Sequence, residues 1–276
     1  MNLAQRILMA CSGPSLMDQL GVATVGPSTG QYDPVTHTGY YGFVPSADLI
    51  SGDALASLIG LTAGVSQYSD AGWFKFYVGP AATCNRNNNG YAYVAYVAKM
   101  PNRHTISWNN INAVNAVYGY RHELIMGMNC QVRLITGAEA DPTIYTAGTS
   151  CLNNPGRNSE WNELLYRIHT AVPTCSNVSI GMEGGLSTIR HGGTQNAGPN
   201  WAEYTNTQMG VLDTLNNGSA CWAQESNGSN RVRRGDTGLA YWGAFASSDT
   251  GENRGWRPVL QPTSLDPDSD PYDLSV

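Results

Sequence analysis

Charge is what this chain has least of. Asp, Glu, Lys and Arg make up 13% of its 276 residues, about half the ~25% usual in globular domains. Basic residues number 15 against 21 acidic ones, a net charge of −6. The one basic run, Arg231-Val232-Arg233-Arg234, is short and is followed by Asp236, so no nucleic-acid partner is expected. No apolar run reaches the ~18 residues a membrane helix needs, and no membrane insertion is expected. Met1–Cys11 loosely imitates a signal peptide, but it lacks an early positive charge and Arg6 interrupts its apolar run; none is expected. The histidines, at 37, 104, 122, 169 and 191, form no His-Glu-x-x-His or comparable spacing, which argues against a catalytic metal. Gly26-Pro27-Ser28-Thr29-Gly30 has Gly-x-Ser-x-Gly spacing, but it lies in a stretch that reads as irregular chain, without the strand and helix that a nucleophile elbow joins, so a hydrolase has no anchor. Gly181-Met182-Glu183-Gly184-Gly185 lacks the Lys-Ser/Thr of a phosphate loop. No Cys-x-x-Cys occurs either, so a zinc ribbon or a thioredoxin motif is unsupported.

Backbone punctuation is abundant instead, with 31 Gly and 14 Pro. This favours many short strands and turns over a helical bundle. The six cysteines, Cys11, Cys84, Cys130, Cys151, Cys175 and Cys221, are either buried thiols or partners in up to three disulfides.

Met1–Leu20 reads as a short helix broken at Ser12-Gly13-Pro14, and residues 21–45 as irregular chain. Leu49, Ile50, Leu55, Leu58 and Ile59 recur at helical spacing, capped at Ser46–Asp48 or restarting at Ser51-Gly52-Asp53. Trp73–Val78 and Tyr91–Lys99 read as a strand pair. Tyr91 and Tyr93 point one way and Val94 and Tyr96 the other, as in a sheet covered on both faces. Ser107 caps a helix running to Tyr118. Glu123–Met126 and Cys130–Thr136 are strands around Gly127. Asn158–His169 is the best helical pattern, with a stripe of Trp161, Leu164, Leu165 and Ile168. His169 stands at its C-terminus, where an imidazolium suits the dipole. Residues 173–236 read as long loops. Tyr241–Phe245 and Arg254–Leu260 read as a closing hairpin, with Trp161, Trp242, Trp256 and Arg257 as packing and closure residues.

Three regions are therefore expected: 1–65, an irregular helical attachment or oligomerisation region; 66–262, the main domain; and 263–276, an acidic tail. Loop aromatics and arginines are the candidate ligand contacts, namely Trp201, Tyr204, Trp222, Arg231 and Arg233, because such side chains dominate interfaces. Glu160 and Glu163 are the nearest candidates for a catalytic carboxylate pair, which a glycosidase would need across a cleft. Asp266–Asp270 lacks the Gly and terminal Glu of an EF-hand. No cofactor and no metal are expected.

The run Val132–Glu139, the helix start Ser159-Glu160-Trp161-Asn162 and the closing Arg254–Leu260, with Lys99-Met100-Pro101, Ile106-Ser107-Trp108 and Val117-Tyr118-Gly119, resemble tailed-bacteriophage virion proteins of the tail-fibre, collar or appendage type. More distantly, the order of these motifs is similar to that of the C-type-lectin-like fold. The resemblance covers about residues 70–262. It implies an α+β domain of small antiparallel sheets with two flanking helices, the chain ends brought together and the loops before the last hairpin facing ligand. It also implies a non-enzymatic virion component, bound to other virion proteins through the N-terminal region. A homo-oligomer, a trimer by the fibre analogy, and contact with a host-surface glycan or protein follow from the same likeness. The alternative is a virion-borne polysaccharide depolymerase or glycosidase. Formylglycine-generating activity, found on the same fold, is not carried over, because only Cys221 lies in the region where its reactive cysteines would stand.

Overall fold

The computed structural model describes residues 31–33, 37–85, 91–138, 141, 158–169, 174–175, 186–187, 201–202, 204–212, 217–236, 238–239 and 241–263. The expected helix at 1–20 and the acidic tail lie outside them. Among the described residues the architecture is mostly β, with few and short helices. It is an α+β arrangement of a seven-stranded and a six-stranded sheet.

The seven-stranded sheet contains β1 (Gln31–Asp33), β2 (Thr38–Val44), β4 (Trp73–Val78), β5 (Tyr93–Ala98), β7 (Tyr118–Ile125), β8 (Met128–Leu134) and β15 (Pro258–Thr263). Their spatial order is β1-β2-β4-β5-β15-β8-β7. Alternation along β5 explains its position. Tyr93, Ala95 and Val97 join one core cluster, whereas Val94, Tyr96 and Ala98 join the other. Both faces of this sheet are therefore covered, and β5 has no solvent side.

Two helices cover one face. Helix α1 (Gly52–Ile59) begins at Ser51, whose hydroxyl accepts from the Ala54 N–H, and ends at Gly60 in the left-handed region. Helix α2 (Trp108–Ala113) starts with a reciprocal capping box between Ser107 and Asn110. Leu55, Ala56, Ile59, Trp108 and Ile111 pack with Trp73, Tyr96, Val132 and Leu260. Against the other face lies a π-helical turn, Trp161–Leu165, running into a 3-10 turn, Tyr166–Ile168. A one-turn helix, α3 (Asn206–Met209), follows with its own Thr205–Gln208 capping box.

The six-stranded sheet has the order β13-β12-β11-β14-β6-β3. Its strands are β3 (Val65–Ser66), β6 (Arg103–His104), β11 (Ala220–Asn227), β12 (Asn230–Gly235), β13 (Trp242–Ala246) and β14 (Arg254–Trp256). A short pair, β9 (Thr174–Cys175) with β10 (Leu186–Ser187), stands apart from both sheets.

Several expectations need correction. Residues 173–236 are not all loop, because β11 and β12 lie within them, and residues 21–45 are not all irregular, because β2 lies there. The helix begun at Ser107 ends at Ala113, and Tyr118 opens β7. The closing hairpin does not form: β13 pairs with β12, while β14 runs parallel to β11 and antiparallel to β6. Residues 254–263 instead pass from the middle of one sheet into the middle of the other. The sheets are also larger than the small ones expected. The 158–169 segment is not a half-exposed amphipathic helix, since Glu160, Asn162, Glu163 and Arg167 are as buried as its apolar stripe. Finally, the line drawn at residue 65 divides residues that share one core, because β2 is hydrogen-bonded to β4 and Leu55 and Ile59 pack beside Trp73.

Candidate functional site

The five residues expected to meet a ligand do not form one site: Trp222 and Arg233 are opposite each other on β11 and β12, whereas Trp201 and Tyr204 pack in the other core cluster. Trp201 is buried, with the Arg167 guanidinium 4.0 Å above its ring. The Trp201 main-chain N–H donates to the Arg167 carbonyl at 2.6 Å. Tyr204 is half-buried, 4.8 Å from the Phe74 ring, and its hydroxyl is linked to that of Tyr40. The Lys99 ammonium lies between Tyr204 (5.4 Å) and Phe43 (5.2 Å), and partial burial lowers its pKa. Trp222 sits on β11, fully buried, with its indole N–H donating to the Ile106 carbonyl at 2.7 Å. The neighbouring strand, β12, carries both arginines. Arg233 is buried against the Phe245 ring at 3.9 Å and forms a 3.0 Å ion pair with Asp236. Arg231 is half-buried and lies 4.4 Å from the Trp108 ring. Most of these aromatics therefore fill gaps between segments.

Two of the closure residues, Trp161 and Arg257, meet at a buried polar seam centred on Glu160 and Trp161; Trp256 packs in the other core cluster. Glu160 is bidentate with Arg133: Nη1 donates to Oε2 at 2.8 Å and Nη2 to Oε1 at 2.6 Å. The Tyr93 hydroxyl (2.7 Å) and the Thr136 N–H (3.0 Å) donate to the same carboxylate. Arg133 Nε donates to the Gln261 side chain at 3.0 Å. Burial pushes the Glu160 pKa up, but Arg133 and these donors outweigh it and hold the carboxyl below its usual range. Arg133 loses by burial and gains more from Glu160, so its pKa is raised. Burial, reinforced by the Glu160 charge, drives the Tyr93 phenol well above its ordinary value. Glu163 is buried too, so the candidate carboxylate pair lies inside the core.

Trp161 anchors its indole N–H on the Leu239 carbonyl at 2.8 Å and has two guanidinium groups near its ring, Arg234 and Arg257, each at 5.5 Å. Arg234 donates to the Gly137 carbonyl (2.7 Å), Asn162 Oδ1 (2.9 Å), the Tyr166 hydroxyl (3.0 Å) and the Tyr241 carbonyl (3.1 Å). Arg257, where β14 passes into β15, donates to the Lys99 (3.0 Å), Ala98 (3.3 Å) and Met209 carbonyls. Its Nε lies 3.5 Å from Cys221 Sγ. Trp256 is fully buried and Trp242 lies on β13, its backbone paired with Arg234. Every arginine of the seam is engaged, so this cluster fixes sheets to helices and has no open face for a substrate.

Cys130 and Cys221 are buried free thiols, and Cys84 is buried in the core. Burial raises the Cys130 pKa to about 12 and also raises that of Cys221, although Arg257 opposes the second shift. At Cys130 and Cys221 burial and a raised pKa both work against thiolate reactivity. Cys11 and Cys151 lie outside the described residues, and Cys175 is described only as backbone in β9.

The exposed chemistry is elsewhere, on a strand that sequence reasoning assigned partly to a helix. Along β7, Tyr118, Tyr120, His122 and Leu124 alternate onto the exposed face, and Met126 extends the row at the turn. Tyr120, Leu124 and Met126 are 75%, 71% and 65% exposed. The Tyr118 ring is 6.0 Å from Trp108 and 6.2 Å from Tyr120. Burial raises the Tyr118 pKa, Arg231 works against this, and Asp141 and Glu225 reinforce it. Arg231, Trp108, Tyr118 and Tyr120 thus form a ladder from a half-buried cation to an open aromatic ring. Period-two spacing in Tyr118-Gly119-Tyr120-Arg121-His122-Glu123-Leu124 was the signal for it.

Among the described residues no three His, Cys, Asp or Glu side chains gather as a metal site, and no helix is long and apolar enough to cross a membrane. No protein-family model matches the chain, and neither a curated protein nor a solved structure matches it.

Proposed function

We propose that this chain is a structural component of a tailed-bacteriophage virion, an appendage such as a tail fibre or collar. Its body is a C-type-lectin-like domain that contributes to contact with the host surface. The observation that carries the reading is where the family-like segments go. Val132–Glu139, Ser159–Asn162 and Arg254–Leu260 are far apart in sequence, yet they supply the Arg133–Glu160 pair, the Trp161 ring and Arg257 of one buried seam. The resemblance thus bears on the architecture of the core and not on a ligand site. Outward presentation of an aromatic face is supported by the ladder on β7, since exposed apolar patches rimmed by polar residues mark interaction sites. A glycan or a protein on the host envelope is the proposed ligand, with other virion proteins and further copies of the chain as assembly partners.

Peptide mass spectrometry of purified particles made from the encoding genome, with antibody labelling of intact particles, tests the proposal. The expected result is stoichiometric presence of the chain on an external appendage. Its absence from particles overturns the proposal. Turnover of envelope polysaccharide by the purified chain would establish the depolymerase alternative.

A further inference from the structure

We propose that β7 is an assembly edge, to which β7 of a second copy of this chain adds antiparallel about a two-fold axis at His122. The proposal does not depend on the virion reading.

Among the described residues β7 closes one side of the seven-stranded sheet and has a hydrogen-bonded neighbour, β8, on its other side only. It is eight residues long, whereas the other edges of the two sheets are strands of three, five and two residues. The hairpin turn to β8 is Met126-Gly127, with φ of 49° and 80° between the partners Ile125 and Met128. Two positive φ values in a two-residue loop define the type I′ geometry, in which Ile125 and Met128 are a hydrogen-bonded pair. Alternation then turns the Glu123 backbone toward β8. It aims the N–H and C=O groups of His122 and Leu124 out of the sheet. The Arg121 N–H is already taken by the Asn115 carbonyl, at 3.1 Å.

Natural edges are guarded by charge, proline, bulges or a covering loop. Here a register shift between Tyr118 and Arg121 disrupts only the start of the strand. Past it, the exposed face carries Tyr120, His122 and Leu124, with Met126 at the turn.

Charge and side-chain size select the register. Centring the pair on His122 sets Arg121 opposite Glu123 of the second copy, and Glu123 opposite Arg121. It also sets Tyr120 against Leu124, Tyr118 against Met126, and the small Gly119 against Ile125. Centring on Arg121 or on Glu123 would oppose like charges, which destabilises cross-strand pairs. Centring on Tyr120 or Leu124 leaves neither charge an opposite partner. Only the His122 register is self-complementary, as an isologous two-fold contact requires. Within one chain Arg121 and Glu123 already pair at 2.5 Å, so the axis would join two such pairs into an alternating row. The two seven-stranded sheets would run on as one, with both tyrosine ladders on the same face.

Sedimentation velocity of the full chain over a range of concentrations tests this. The wild type is expected to dimerise. His122→Glu sets two carboxylates face to face at the axis on an exposed position and is expected to weaken the dimer at least ~10-fold in Kd, with unchanged circular dichroism. Arg121→Glu alone is expected to weaken it as well, and Arg121→Glu combined with Glu123→Arg to restore it. His122→Cys reports the register directly: mild oxidation is expected to give a disulfide-linked dimer that the wild type does not form. A monomeric wild type overturns the proposal, as does an oligomer of any size that His122→Glu leaves intact. Should His122→Glu fail to fold, the charge-swap pair alone decides, and a swap that restores nothing overturns the proposal.

Discussion

Arg133 and Arg257 are both fully buried, but they are neutralised by different means. Arg133 meets a full negative charge, the bidentate Glu160. Arg257 meets main-chain carbonyls from the end of β5, from the residue after it and from α3. The first is an ion pair, which two residues can lose together; the second is mainly a set of dipoles fixed by the backbone, with no carboxylate partner to remove. The two regions should therefore respond differently to substitution and to pH.

The largest effect is expected from Glu160→Ala. It leaves the Arg133 charge buried without its partner, at a cost of about 4 kcal/mol, read from the midpoint of urea unfolding. Replacing both residues by Met should recover more than half of that loss, because an apolar pair of similar volume avoids the burial of charge. A double variant no better than the single one would break the comparison. Arg257→Met should cost about 3 kcal/mol, since it strands several buried carbonyls at ~1–3 kcal/mol each, and no second substitution should compensate.

Acid separates the two regions further. The folded-state pKa of Glu160 lies below its unfolded value. The stability it contributes is therefore present above the unfolded value of about 4.3 and is lost as pH falls through the folded one. Wild type and Arg257→Met should show this acid limb, and Glu160→Gln a shallower one, in unfolding followed from pH 6 down to pH 2.

Smaller effects sharpen the contrast. Trp222→Phe keeps an aromatic ring but removes the rest of a buried indole and strands the Ile106 carbonyl, for about 2 kcal/mol. The smallest expected loss is from Phe245→Leu, about 1 kcal/mol by thermal unfolding. Its ring lies 3.9 Å from Arg233 and 4.3 Å from Arg254, a stack whose worth at a partly exposed position is modest.

Local pattern was readable where the chain decides locally. Trp73–Val78 and the two-faced alternation around Tyr93–Ala98 matched the strands found, Ser107 marked a helix start, and of the two starts offered for the preceding helix the second, at Ser51, is the one used. Long-range pairing was not readable. Tyr241–Phe245 and Arg254–Leu260 are close in sequence and both strand-like, yet β11 and β6 bind β14 instead. Nothing in composition signals that choice. At Glu160 the polar residues looked like a solvated helix face because their partners, Arg133, Tyr93 and Gln261, lie tens of residues away. The same blindness made Trp201 and Trp222 look like loop ligands. Tyr120 went unnoticed because its neighbours were read at helical period instead of period two.

The central position of residues 254–263 sets an order on biosynthesis. Until that stretch leaves the ribosome, β5 and β8 lack the strand that lies between them, and so do β11 and β6. A nascent chain thus carries open edges in both halves, the state most prone to pairing with neighbouring chains. One ten-residue segment, held near its middle by Arg257, supplies the missing strand of both sheets. A chain stalled before Arg254 would display unpaired strand edges, a signature that chaperones and proteases could read as unfinished synthesis.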